Sequence, residues 1–187
     1  MRRVLVTGGG RGIGAAVVRA LDQAGFAVDF THRRPADGLP GRGIAVDLAD
    51  RAAVDALAER AADEGYYGLV HNAGATSDRL AAMVDQGQAE AVMQVNFWAM
   101  ARIAKALVRP MTAAGAGRIV AIGSVAALAG SRGNAVYAAS KAALLAYQRT
   151  LVQEVARKGV TVNYVAPGFV DTEMMAAYAA QRARLEG

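Results

Sequence analysis

Tyr137 and Lys141 stand four residues apart in Tyr137-Ala138-Ala139-Ser140-Lys141, inside a helix-compatible run from Asn134 to Lys158. On a helix this spacing puts both side chains on one face, a turn apart. A free phenol ionises at about pH 10. A fixed ammonium beside it favours the phenolate and draws that value toward working pH, which makes the phenol a proton donor usable in neutral solution. An Ala-rich helix can also carry such a pair for packing or surface reasons, so the rest of the chain decides what the pair means.

Six short apolar runs alternate with amphipathic stretches and would position these side chains. Residues 2–7 read as a buried strand that enters Gly8-Gly9-Gly10-Arg11-Gly12-Ile13-Gly14, followed by a helix over 15–24. A strand, a glycine turn and a helix in that order aim backbone N–H groups and a helix N-terminus at a phosphate. Residues 26–31 form the second strand, and Thr31-His32-Arg33-Arg34 follows it. An acid at that position would hold the ribose 2′-OH of NAD, whereas an arginine accommodates a 2′-phosphate. Two arginines and no acid favour NADP. Asp29 interrupts this strand without an explanation from the pattern alone.

Further strands are expected over 43–46, 67–70, 118–122 and 160–165, with helices over 50–64, 86–113 and 134–158. Pro110 is expected to loosen the end of its helix. Strands alternating with helices in one direction define an α/β protein, a Rossmann-type doubly wound parallel sheet in three layers. Asp47, Asn72 to Gly74, Ser124 and Pro167-Gly168 all follow strands, at the carboxyl ends where such sheets bind ligands.

At 187 residues, 54% hydrophobic and without internal repeats, the chain reads as a single domain over 1–187. It contains no cysteine and two histidines far apart, which argues against disulfides and against a metal site. Its basic residues, net charge +5, are scattered and accompany no nucleic-acid motif. The apolar run after Met1-Arg2-Arg3 is too short for a signal peptide or a membrane span, which points to a cytoplasmic protein with no membrane partner.

The ordered set of motifs resembles the short-chain dehydrogenase/reductase family over nearly the whole chain. Thr7-Gly8-Gly9-Gly10-Arg11-Gly12-Ile13-Gly14 matches its T-G-x-x-x-G-x-G cofactor turn, and Asn72-Ala73-Gly74 its N-A-G segment. Pro167-Gly168 with Val170 and Thr172 matches its nicotinamide-side loop, and Asn96, Ser124, Tyr137 and Lys141 fall at its catalytic tetrad. The resemblance implies that Tyr137 protonates a substrate carbonyl oxygen while hydride arrives from the nicotinamide, and that Ser124 hydrogen-bonds that oxygen. It implies that Lys141 lowers the Tyr137 pKa and bonds the nicotinamide ribose, and that Asn96 holds a relay water. Asp47 and Leu48 would flank the adenine, with Arg11, His32 and Arg33 on the 2′-phosphate side of NADP(H).

Three stretches look most like the 3-oxoacyl-[acyl-carrier-protein] reductases: residues 118–125, 137–142 and 165–174. This similarity implies reduction of a 3-oxoacyl thioester delivered by an acyl carrier protein, with Arg157 and Lys158 as candidate contacts for that acidic partner near the pocket mouth. It also implies a homodimer or homotetramer built on the two long helices. A dehydrogenase of another secondary alcohol, sugar or steroid keeps the same mechanism, and a non-catalytic nucleotide-binding scaffold is the alternative of another class. Three departures stand out. His71 replaces the family's usual Asn, and the segment 31–43 lacks the helix expected between strands two and three. The chain is also expected to lack the family's C-terminal lid helices and last strand, leaving Met174, Met175, Tyr178 and Leu185 as an apolar pocket wall.

Overall fold

In the first strand Val4 and Val6 face one side and Leu5 the other, and both sides are covered. This is what a continuous apolar run predicts for the centre of a parallel sheet. The computed structural model of the chain describes residues 1–130 and 132–173. The expected pocket wall of Met174, Met175, Tyr178 and Leu185 lies outside them.

Strands β1 (Arg3–Thr7), β2 (Ala27–His32), β3 (Arg42–Ala45), β4 (Gly68–His71), β5 (Gly117–Ile122) and β6 (Val160–Val165) pair in parallel in the order β3-β2-β1-β4-β5-β6. Helices α1 (Gly12–Gln23), α2 (Arg51–Glu64), α3 (Gln86–Met93), α4 (Ala99–Ala113) and α5 (Ala135–Val155) connect them. Chain order reverses between β1 and β4, which opens a crevice at the carboxyl ends of the strands.

Val4, Val6, Val28 and Phe30 pack under α1 through Val18. On the other face Leu5, Leu69 and Ile119 meet Ile103 and Leu107 of α4 and Leu144 of α5, all fully buried. Each such side chain contributes about 1.5–3 kcal/mol by leaving water. No helix among the described residues is long and apolar enough to cross a membrane.

Two local departures from the expected elements matter. The helix expected over 86–113 is continuous but contains a π-helical turn at Gln94–Trp98, where the Ala99 N–H reaches back to the Gln94 carbonyl. Pro110 does not shorten it, since α4 runs on to Ala113. Helix α5 begins at Ala135 and its last expected turn is the 3₁₀ segment Ala156–Lys158.

Asp29 also acquires an explanation. It is buried and accepts hydrogen bonds from Arg42 Nε (3.2 Å) and Nη2 (2.7 Å) and from the Tyr66 hydroxyl (2.5 Å). Glu64 accepts from Arg42 and from Arg3 (3.0 Å). Burial works against the Glu64 charge, but its hydrogen bonds from Arg42, Tyr66 and Arg3 outweigh it and hold the carboxyl below its usual range. The cluster ties β3, reached by a loop without a helix, to the end of α2.

Candidate active site

The first turn of α1 is unlike those of α2 and α3. Asp50 and Asp85 cap α2 and α3 by accepting from backbone N–H groups, whereas Arg11 at the start of α1 provides no side-chain cap. The exposed donors of that turn therefore open toward the crevice, an arrangement that favours an anion. Only glycine fits the turn behind it. Gly8 has φ +64°, and a Cβ on Gly14 would stand 2.1 Å from the Gly8 carbonyl oxygen.

The crevice is a cleft of about 970 Å³. Among the residues expected to bind cofactor, Gly8, Gly10, Arg11, Gly12, Ile13, His32, Arg33, Asp47, Leu48 and Asn72 to Gly74 line it. Ser124, Tyr137, Lys141, Pro167, Gly168, Val170 and Thr172 line it as well. Gly14 lies behind the wall, where it permits contact between α1 and the turn. Asn96 is also behind it, fully buried. The Arg11 guanidinium pairs with Glu173, which also lines the cleft, at 2.5 Å.

Ser124 Oγ accepts from the Ala126 N–H (3.1 Å) and hydrogen-bonds the Tyr137 phenol. Lys141, buried on the same face of α5, donates to the Ile122 carbonyl at 2.8 Å. Its Nζ is 5.7 Å from the centre of the Tyr137 ring. Burial lowers the Lys141 pKa from 10.5 to about 8.

Burial pushes the Tyr137 phenol above its usual range, the Ser124 hydrogen bond pulls the other way, and Tyr164 and Asp78 push it further up. The Lys141 ammonium donates to the Ile122 carbonyl, and burial is the largest influence on the phenol.

Asn96 clamps the loop after β4: its Oδ1 accepts from the Ala75 N–H (2.7 Å) and its Nδ2 donates to the Ala75 carbonyl (2.9 Å). Nδ2 also donates to Ser140 Oγ (2.8 Å), and Ser140 donates to the Tyr137 carbonyl (2.7 Å). Two positioning side chains escaped the sequence reading. The Tyr164 hydroxyl accepts from the Ser124 N–H (3.1 Å) and donates to the Lys141 carbonyl (3.2 Å), joining β6 to both neighbours. Its signal was present, since Val160, Val162 and Tyr164 alternate along one strand face. His71 is the other and is described below.

Arg157 and Lys158 are not at the pocket mouth. They precede β6, whereas the cleft lies at the carboxyl end of that strand.

A family model for short chain dehydrogenases matches residues 2–183. The 3-oxoacyl-[acyl-carrier-protein] reductase FabG of Vibrio cholerae is 36% identical over 183 residues, covering 92% of this chain and 75% of that protein. An acetoacetyl-CoA reductase of Synechocystis is 38% identical over 177 residues, covering 93% and 74%. A crystal structure of a putative NAD(P)-dependent gluconate 5-dehydrogenase from Beutenbergia cavernae, with NADP bound at low occupancy, superimposes with a TM-score of 0.91 at 35% identity, covering 98% of this chain and 78% of that one. With its sheet order, glycine turn and Ser124–Tyr137–Lys141 grouping, the chain belongs to the short-chain dehydrogenase family.

Proposed function

We propose that the protein is an NADPH-dependent carbonyl reductase acting on a 3-oxoacyl thioester. The observation that carries this reading is that Ser124, Tyr137 and Lys141 share one cleft with the uncapped start of α1. The turn from Gly8 to Gly14 would hold the cofactor's phosphates, and Arg33 and Arg34 supply positive charge where a 2′-phosphate would lie. Asp47 and Leu48 would flank the adenine, with Asn72 to Gly74 and Pro167 to Thr172 on the nicotinamide side. The cofactor supplies hydride to the substrate carbonyl carbon when bound.

Tyr137, held protonated by burial, is in the form that gives its proton to the carbonyl oxygen as negative charge develops there. Ser124 donates a hydrogen bond to the same oxygen, a preorganised dipole acting in the transition state. Lys141 then stabilises the phenolate left behind, and its own pKa near 8 lets it pass a proton on close to neutral pH. Asn96 holds the loop and α5 in register for these steps.

Val125, Leu128, Phe169 and Val170 are exposed large apolar residues on the substrate side, and three of them line the cleft. An apolar rim suits an acyl chain better than a polyhydroxylated one. The two reductases cited above support the same class. Assembly through α4 and α5 belongs to this reading; light scattering is expected to give a dimer or tetramer.

The test is NADPH oxidation with an acetoacetyl thioester against NADP reduction with gluconate. The thioester is expected to give the higher kcat/KM. A higher value for gluconate would overturn the substrate class, and absence of turnover with tight NADPH binding would overturn the catalytic reading.

A further inference from the structure

His71 is fully buried at the end of β4, beneath the cleft rather than in it. Its Nε2 lies 3.2 Å from the Asn96 carbonyl oxygen, and the Val95 carbonyl acts on the same ring. A carbonyl only accepts, so Nε2 carries a hydrogen. Its Nδ1 lies 2.9 Å from Thr7 Oγ1. That hydroxyl already accepts from the Asn72 N–H and the Ala73 N–H, both at 3.2 Å. With both lone pairs used, its one hydrogen goes to Nδ1, which is therefore an acceptor. Hydrogen-bond accounting alone fixes a neutral ring with its proton on Nε2.

This ring joins two parts of the proposed machinery. On one side Thr7 orders the backbone of Asn72 and Ala73, the loop assigned to the cofactor. On the other, the Asn96 carbonyl belongs to the π-helical turn, which aims the Asn96 carboxamide at Ala75 and Ser140. We propose that His71 is a positioning residue that couples the cofactor-side loop to the π turn carrying Asn96. The proposal rests on the catalytic reading above. The charged group acting on the ring is Lys141 of α5, which opposes a second positive charge there, and burial pushes the ring to about pH 3. A neutral His71 thus leaves Lys141 as the titrating cation of the site.

Two conservative variants separate the halves. An asparagine oxygen can replace Nδ1 toward Thr7 but cannot reach the Asn96 carbonyl; a glutamine nitrogen can replace Nε2 toward that carbonyl. His71→Asn is expected to keep the NADPH Kd within about threefold and to lower kcat by roughly tenfold, the loss that follows from an unpaired buried carbonyl. It should also displace the kcat–pH profile. His71→Gln is expected to show the opposite split, with kcat and its pH profile near wild type and weaker NADPH binding. Equal effects of both variants on both constants, or no effect of either, would overturn the coupling.

A readout independent of turnover is the imidazole ¹⁵N spectrum of the wild-type protein. A neutral Nε2–H tautomer that does not titrate between pH 5 and 9 is expected, and an Nδ1–H tautomer or a titrating ring would refute the proposal even if the variants fail to fold. Absence of turnover in wild type with a correct spectrum would instead fault the catalytic reading.

Discussion

Replacing Lys141 by methionine should make the protein more stable at pH 7 and less stable at high pH. The ammonium is buried, and its fall from 10.5 to about 8 corresponds to about 3 kcal/mol of burial cost when charged. Methionine removes that cost but also the hydrogen bond to the Ile122 carbonyl, a loss of about 1–2 kcal/mol. At pH 7 the net gain is about 1–2 kcal/mol, or about 2–8 °C in Tm for a chain of this length. Between pH 8 and 10.5 the unfolded chain binds more protons at this position than the folded one, so wild-type stability rises with pH across that window. Above it the amine is neutral in both states. Only the hydrogen-bond loss then remains, and the variant becomes the less stable protein. Urea titrations of both proteins at pH 7 and near pH 10.5 measure the difference directly, and alkaline effects elsewhere cancel in the comparison. NADPH turnover should be lost at both pH values. A variant less stable than wild type at pH 7 would refute the claim that function keeps a costly charge in this position.

Arg42→Ala leaves Asp29 with Tyr66 as its close partner, and should cost about 2 kcal/mol, seen as a Tm lower by about 4–8 °C with NADPH binding unchanged. The Glu64 carboxyl, held below its usual range, contributes stability that is present above its unfolded value of 4.5 and is lost as pH falls through the lower folded one. Acid unfolding of Glu64→Gln should accordingly be shallower than that of wild type. Gly74→Ala places a methyl 3.6 Å from Lys141 Nζ and 3.7 Å from Asn96 Oδ1, ordinary contacts that allow folding but fill the space between them. Turnover should fall by roughly tenfold through loss of room for water there, with Tm little changed. Replacing Arg33 and Arg34 together by serine should weaken NADPH binding by about tenfold or more and leave NADH binding nearly unaltered, read by fluorescence titration at fixed ionic strength.

The parallel sheet was legible because β1 and β5 are apolar on both faces and each strand is punctuated by glycine or a helix cap. The glycine turn was legible for a similar reason: the positive φ of Gly8 and the approach of Gly14 to the Gly8 carbonyl are both local to one strand–helix unit. What escaped was set by partners distant in sequence. Asp29 read as an anomaly because Arg42 and Tyr66 satisfy it from other elements. The π turn spans only Gln94–Trp98, too short a stretch for a periodicity read over about 11–18 residues to register. His71 read only as a departure from the family's usual Asn because its partners, Thr7 and the Asn96 carbonyl, converge only in the folded chain. The i to i+4 spacing of Tyr137 and Lys141 correctly put them on one face. It said nothing about burial, which decides the direction of both pKa shifts.

The most direct test is Tyr137→Phe, which removes one oxygen and leaves the ring that packs in the cleft. NADPH should bind with nearly wild-type affinity, and reduction of an acetoacetyl thioester, followed by loss of NADPH absorbance, should fall by about 10²–10⁴-fold. Full turnover in this variant would mean that the proton comes from another group.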